Sequence, residues 1–377
     1  MILAKNKTSS RLFSFFVSDI SYVDELISNK KFKDVIVPSN DWDITSFINN
    51  IDKTANIFVD FVTESGNFHS SSVDITNGIK KLLPECNVIC ISDVIGGDLD
   101  LFSKKNNLKI LNSPYFSFYG FLSFTEDSFS LFVNNQFSMI EDYKFKSKRK
   151  HLLTCRNGRF NSHRVYTIYK LFKEQLDDNL ISALFYHESK PETGLENVDT
   201  QYLEKIDSKF YNENISPKIP ITLDGLVEWQ SEGYDLKGDM HHNFDLFDSY
   251  IDVVTENVCH APNNIFRLIT ITEKTIKPFL YFQIPIFVTQ PHHAKSLKNL
   301  GFDLFEDIFP LEYDEESDAN RIDKIISLIQ EKEKFDFQSF FEINKKRFIH
   351  NRNLCITYAF SNGVGSLMNL IKKYEFI

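Results

Sequence analysis

Short, unbroken apolar runs rich in β-branched residues recur along this chain, separated by helical or loop stretches. The runs are Asp34–Ser39, Asn56–Thr63, Asn87–Ser92 and Leu108–Leu111, then His151–Cys155, Leu180–Tyr186, Tyr250–Thr255 and Pro285–Thr289. A strand that is apolar on both faces needs cover on both, which is the condition of a parallel sheet sandwiched by helices. Helical spacing falls between the runs, over Val73–Leu83, Ser162–Phe172 and Thr272–Phe282. It fills the C-terminal part over Ala319–Lys332, Phe337–Phe348 and Ser361–Tyr374. The alternation starts afresh near residue 150. With 377 residues, two α/β domains of the doubly wound type are expected. The boundaries read as 1–145, 146–330, and a helical segment 331–377 that returns to the N-terminal domain. Residues 188–220 are polar and contain prolines, and read as an irregular surface excursion.

Charge and cysteine usage narrow the function classes. The net charge is −10, which repels polyanions in general. The one dense basic run, Lys144–Lys150, reads first as a solvated linker. The five cysteines have no CxxC spacing and an odd count, so neither a zinc site nor a disulfide framework is suggested. A reducing, cytoplasmic setting follows from that usage and from an N-terminus without leader character. No apolar run reaches the length of a membrane span. No G-x-G-x-x-G follows a strand, which argues against a dinucleotide-dependent dehydrogenase.

Two segments carry candidate chemistry. In Cys155–Arg164 a strand ends, a loop turns at Gly158, and a helix begins near Ser162. Arg156, Arg159 and Arg164 supply forked donors beside a helix N-terminus, which suits phosphate oxygens. A salt-bridged, solvated turn explains the same letters, and the two readings stay open. In the second segment a strand delivers Glu256 and Asn257 at its end. After a loop, Thr272 is placed to cap a helix that opens with Glu273 and Lys274. By spacing alone, Glu273 simply complements the helix dipole and Lys274 is solvated.

The second segment resembles a known pattern. Thr255-Glu256-Asn257, then Ile271-Thr272-Glu273-Lys274, then a Pro-led apolar strand, is similar to the donor motif of α1,3-fucosyltransferases. Exostosin-like and phage-encoded glycosyltransferases carry related versions, to which Leu297–Phe302 after the last strand is also similar. The resemblance covers roughly residues 150–310. It implies a GT-B fold, with two Rossmann-like domains facing across a cleft, and transfer of a sugar from a nucleotide diphosphate sugar. It further implies that Glu256 and Asn257 line the donor pocket, that Glu273 holds the ribose, and that Lys274 and an arginine of the earlier loop hold the diphosphate. Thr255 stands where fucosyltransferases have Phe, and Glu256 and Glu273 are farther apart, so the sugar stays open.

The expected reaction is inverting and independent of metal, since cations and helix N-termini can stabilise a departing diphosphate. Asp98-Leu-Asp100 reads as a polar loop and not a metal ligand pair. The base that takes the acceptor proton is expected just past an N-terminal strand: Asp93, beside Gly96-Gly97, or Glu64. No cofactor is expected beyond the donor. The acceptor is a hydroxymethylated cytosine in phage DNA or a cell-surface glycan, and a non-catalytic nucleotide-sugar-binding protein is the alternative. His292-His293 lacks a third spaced ligand and reads as a surface turn.

Overall fold

The computed structural model describes residues 2–3, 34–38, 56–60, 68–82, 84–85, 87–92, 94–112, 145–157, 161–176, 180–184, 195, 198–218, 248–256, 259, 268–269 and 271–358. The chain divides into two compact units. One comprises 1–121, 264–272 and 356–377, the other 122–263 and 273–355.

In the first unit, five strands form one parallel sheet: β1 (Ile2–Leu3), β2 (Asp34–Pro38), β3 (Asn56–Asp60), β4 (Asn87–Ser92) and β5 (Lys109–Asn112). Helix α1 (Phe68–Leu82) crosses from β3 to β4, and α2 (Leu99–Lys105) precedes β5. Ile79, Val88, Ile89, Cys90, Phe102 and Leu108 are buried between them. Gly96-Gly97 pairs antiparallel with Leu268-Ile269, a contribution from a distant part of the chain. The strand positions follow the apolar runs, but the order corrects one expectation. Neighbours in space are neighbours in sequence, β1-β2-β3-β4-β5. A doubly wound sheet needs a reversal of order. Successive right-handed crossovers in one direction place their helices on one face, so the described strands of this sheet lack the reversal that double winding needs.

The second unit does reverse. Its strands are β6 (His151–Asn157), β7 (Leu180–Leu184), β8 (Ser249–Thr255) and β9 (Ile284–Val288), in spatial order β9-β8-β6-β7 and all parallel. Every residue of β8 and β9 is buried, which is why both read as continuous apolar runs. Helix α3 (Ser162–Lys173) follows β6. The stretch expected to be irregular holds α4 (Thr200–Leu203) and α5 (Ser208–Asn214) instead. Of its apolar residues, Val198, Tyr202, Ile206, Tyr211 and Ile215 are buried, and Leu195, Leu203 and Phe210 are half-buried. Tyr202 packs on Tyr166, and Phe210 on Tyr169 of α3. Five well-spaced anchors were enough to fold a segment whose composition is polar.

Helix α6 (Glu273–Leu280) leads into β9, and α7 (His293–Asn299) follows it. Gly301, at φ +96°, ends α7: its N–H bonds to Lys298 O at 2.8 Å and the Phe302 N–H to Leu297 O at 3.2 Å. This paired closure is the reason Leu-Gly-Phe stands there. Helices α8 (Asp318–Glu331), α9 (Phe337–Ile343) and α10 (Lys345–Thr357) complete the unit. The single helix expected over 337–348 is broken at Asn344.

Of the segment 331–377 expected to return to the N-terminal domain, 356–377 group with the first unit, whereas α9 and nearly all of α10 belong to the second. Their Phe337, Phe341 and Phe348 rings pack on Tyr250, Phe145 and Phe305, all in the second unit. The phenylalanine stripe finds its aromatic counterpart at the start of β8 and in the 302–309 segment. Arg347 of α10 locks that contact with paired bonds to Asp303 (2.6 and 2.8 Å) and Asp307 (2.7 and 2.9 Å). The basic run is likewise no plain linker. Phe145 and Arg149 are buried, the latter with its guanidinium carbon 4.0 Å from the Phe341 ring centre, while Lys146, Lys148 and Lys150 are exposed. Among the described residues, no helix is long and apolar enough to cross a membrane.

Candidate functional site

The reversal of order in the second unit sets the location of the site. The chain runs from β6 outward to β7, then returns to the other side of β6 as β8. The C-terminal ends of β6 and β8 therefore stand at a switch point of the sheet, the usual ligand position in open α/β sheets. Asn157 ends β6 and Thr255 ends β8, and the Thr255 hydroxyl donates to Asn157 Oδ1 at 2.5 Å.

Glu256 is the next residue, and side chains of α3 and α6 hold it. From the first turn of α3, His163 Nε2 donates to the Glu256 carbonyl at 2.9 Å, which requires the Nε2–H tautomer since a carbonyl only accepts. Arg164 Nη2 donates to the carbonyls of Thr255 and Glu256, each at 3.3 Å. From the first turn of α6, Thr275 Oγ1 donates to Glu256 Oε1 at 2.5 Å and lies 3.2 Å from His293 Nε2. Glu256 is only 4% exposed, Thr275 0% and His293 2%. The two sequence segments separated by a hundred residues thus meet at one point.

His293 opens α7, against the expectation of a surface turn. His292 takes the left-handed conformation, φ +66°, and its N–H bonds to the Asp314 carbonyl. The Asp314 carboxylate accepts from the amides of Ala294 (3.2 Å) and Lys295 (3.0 Å), which caps α7 from a separate turn. Burial holds the His293 imidazole below the usual histidine range. Glu256 and Asp314 pull it up, and Arg321 pushes it further down. Arg321, fully buried on α8, donates to the carbonyls of Thr289 at the end of β9, of Cys259 and of Glu316. It ties together the segments that leave β8 and β9.

The arginines expected on phosphate oxygens have protein partners. Arg156 Nη2 meets Asp252 Oδ2 of the adjacent strand at 2.7 Å. Burial raises the Asp252 carboxyl above its ordinary range, with Arg156 opposing that shift. Arg164 is buried on main-chain carbonyls as described. Both contacts bind β6 and α3 to β8, so these guanidinium groups act on the shape of the strand ends. Arg159, Asn257, Glu64 and Asp93 lie outside the described residues. Glu273 opens α6. Thr272 precedes that helix and Lys274 sits in its first turn, both half-buried. Thr275 and His293 are the residues the sequence reading missed. Thr275 lay inside the motif, one residue past Lys274, and His293 inside the histidine pair. Neither letter pattern says which face of a helix is turned to the strand ends.

Burial pushes the Cys155 and Cys259 thiols up to about 12, which disfavours the thiolate. Among the described residues, no group of three or more His, Cys, Asp or Glu side chains is placed to hold a metal ion. Chemically, the strand ends present a buried, hydrogen-bonded carboxylate beside the N-terminal turns of α3 and α6. A carboxylate so placed accepts from hydroxyl groups, and helix N-termini favour anions. Comparison of the chain with family models, with curated proteins and with solved structures finds no match in any of the three.

Proposed function

We propose that the protein is a nucleotide-sugar-dependent glycosyltransferase of the GT-B kind, with its donor site at the C-terminal edge of the β9-β8-β6-β7 sheet. One observation carries the reading: His163 and Arg164 of the first segment bond to the backbone of Thr255 and Glu256 in the second, at the switch point of the sheet. In this reading the diphosphate lies against the first turn of α6 and Lys274, with the α3 N-terminus adding its field. Glu256, with Asn257 and Glu273, takes the hydroxyl groups of the donor. Preorganised positive charge stabilises the leaving diphosphate as the bond to the sugar breaks. The acceptor hydroxyl gives its proton to Asp93 or Glu64.

A DNA acceptor draws support from the row of exposed Lys146, Lys148 and Lys150, anchored by buried Phe145 and Arg149. It stands out on a chain of net charge −10 and suits a phosphate backbone. A glycan acceptor is the second reading, favoured by that overall charge.

The test is calorimetry with a panel of nucleoside diphosphates and their sugars. Loss of one charge-assisted contact is worth about 1.5–3 kcal/mol, so Lys274→Ala should weaken binding roughly 10-fold or more. Lys277→Ala, whose charge acts on Asp252, should change it far less. Equal affinities would remove the diphosphate assignment. Labelled donors offered with hydroxymethylcytosine DNA or with glycans identify the acceptor. Binding without turnover, unaffected by Asp93→Ala or Glu64→Ala, would make the protein a nucleotide-sugar binder.

A further inference from the structure

The hydrogen bonds around Glu256 have a direction that proton counting settles. A carboxylate offers only acceptor sites, and a threonine hydroxyl has one proton. That proton goes to Glu256 Oε1, 2.5 Å away. The His293 Nε2 atom, 3.2 Å from the same Thr275 oxygen, must then carry a hydrogen and donate it. The chain runs His293 Nε2–H to Thr275 Oγ1–H to Glu256. Around the imidazole stand Thr275 on α6, Glu256 after β8, Asp314 in the turn 311–315, Arg321 on α8, and the Phe287 ring of β9 with its centre 5.1 Å away. Burial and Arg321 keep the ring neutral against the two carboxylates, so it acts as a directional donor.

Glu256 is constrained beyond the needs of packing. His163 and Arg164 hold its carbonyl, the β9 carbonyl of Val288 accepts from its N–H at 3.3 Å, and Thr275 holds its side chain. A main chain held by three contacts and a carboxylate aimed by a fourth are what a binding group requires. We propose that His293 is a positioning residue which, through the Thr275 hydroxyl, keeps the Glu256 carboxylate oriented to accept hydrogen bonds from the sugar hydroxyls of a bound nucleoside diphosphate sugar. This rests on the glycosyltransferase reading for the identity of the ligand, but not for the hydrogen-bond chain itself.

Two measurements test it separately. In ¹⁵N-histidine NMR of the full chain without ligand, His293 should show a protonated Nε2 whose resonance moves in Thr275→Val and in Glu256→Gln. A proton on Nδ1 alone would overturn the chain. In calorimetry, Thr275→Val and His293→Leu should weaken a nucleotide sugar about tenfold, one hydrogen bond's worth to a charged group. Both should leave inorganic pyrophosphate within about twofold, since that ligand has no hydroxyl for Glu256. Thr275→Ser should restore the affinity, and His293→Gln should restore part of it. Thermal melts check that each variant is folded. Unchanged nucleotide-sugar binding, or equal loss for pyrophosphate, would overturn the positioning role. A wild-type protein that binds no nucleotide sugar while its NMR coupling is intact would overturn the glycosyltransferase reading instead.

Discussion

Removing the guanidinium of Arg156 should destabilise the second unit in a way that depends steeply on pH. Asp252 sits in the middle of β8, 3% exposed, with Arg156 Nη2 2.7 Å from its carboxylate. Arg156→Met keeps the stem and removes the charge. Breaking a buried pair from one side costs about 3–5 kcal/mol. Protonation of the stranded acid sets a ceiling. With an ordinary pKa of about 3.9, holding an aspartic acid neutral at pH 7 costs about 1.4 kcal/mol per unit over roughly three units, or about 4 kcal/mol. Burial already raises Asp252 in the intact protein, and loss of Arg156 raises it further. A folded pKa above the unfolded one means that the stability is present at low pH and lost as pH rises. The penalty is therefore about 3–4 kcal/mol at pH 7 and falls by about 1.4 kcal/mol per unit toward pH 5. Because the chain has two units, amide exchange at Val253 in β8 is a cleaner readout than a whole-chain melt. The Arg156→Met/Asp252→Asn double variant should recover most of the loss and bind nucleoside diphosphates within about threefold of wild type, since an exchange of buried partners leaves the pocket charge alone. A penalty under about 1 kcal/mol without pH slope, joined to a large loss of nucleotide affinity, would refute the reasoning and return Arg156 to the ligand.

Phe348 is 1% exposed, with the rings of Phe341 and Phe305 centred 4.2 and 4.4 Å away. Phe348→Ala should cost about 3–5 kcal/mol in urea unfolding, whereas Ile343→Ser, at a side chain 82% exposed, should stay within about 0.5 kcal/mol. Gly301→Ala should cost about 1–2 kcal/mol. A Cβ there meets only Leu354 Cδ2 at an ordinary 3.5 Å, so the loss comes from the φ of +96°. His293 is held below its usual range by burial. Its contribution is complete above about pH 6.5 and fades as pH falls, because the unfolded chain then takes up the proton first. His293→Gln should flatten the stability profile between about pH 6.5 and 5, as read by amide exchange in α7.

The elements were legible in the sequence because their causes are local. Continuous apolar runs and 3.6-residue spacing marked each strand of the second unit, and α3, α6 and α8, to within a few residues. A helix such as α5 escaped because its buried anchors, Tyr211 and Ile215, are sparse in a polar stretch. Sheet order is not local: similar β–α alternation yields a sequential sheet in the first unit and a reversed one in the second, and only the folded chain shows which. The site divides the same way. Glu256 was visible as the residue a strand delivers, and the loop with Arg156 and Arg164 as a basic turn before a helix. What those arginines bond to depends on Asp252 and on carbonyls some ninety residues away. That His293 reaches Glu256 through Thr275 depends on how α6 and α7 rotate onto the ends of β8 and β9. Pairings across such distances come from packing, and no spacing rule in a single chain encodes them.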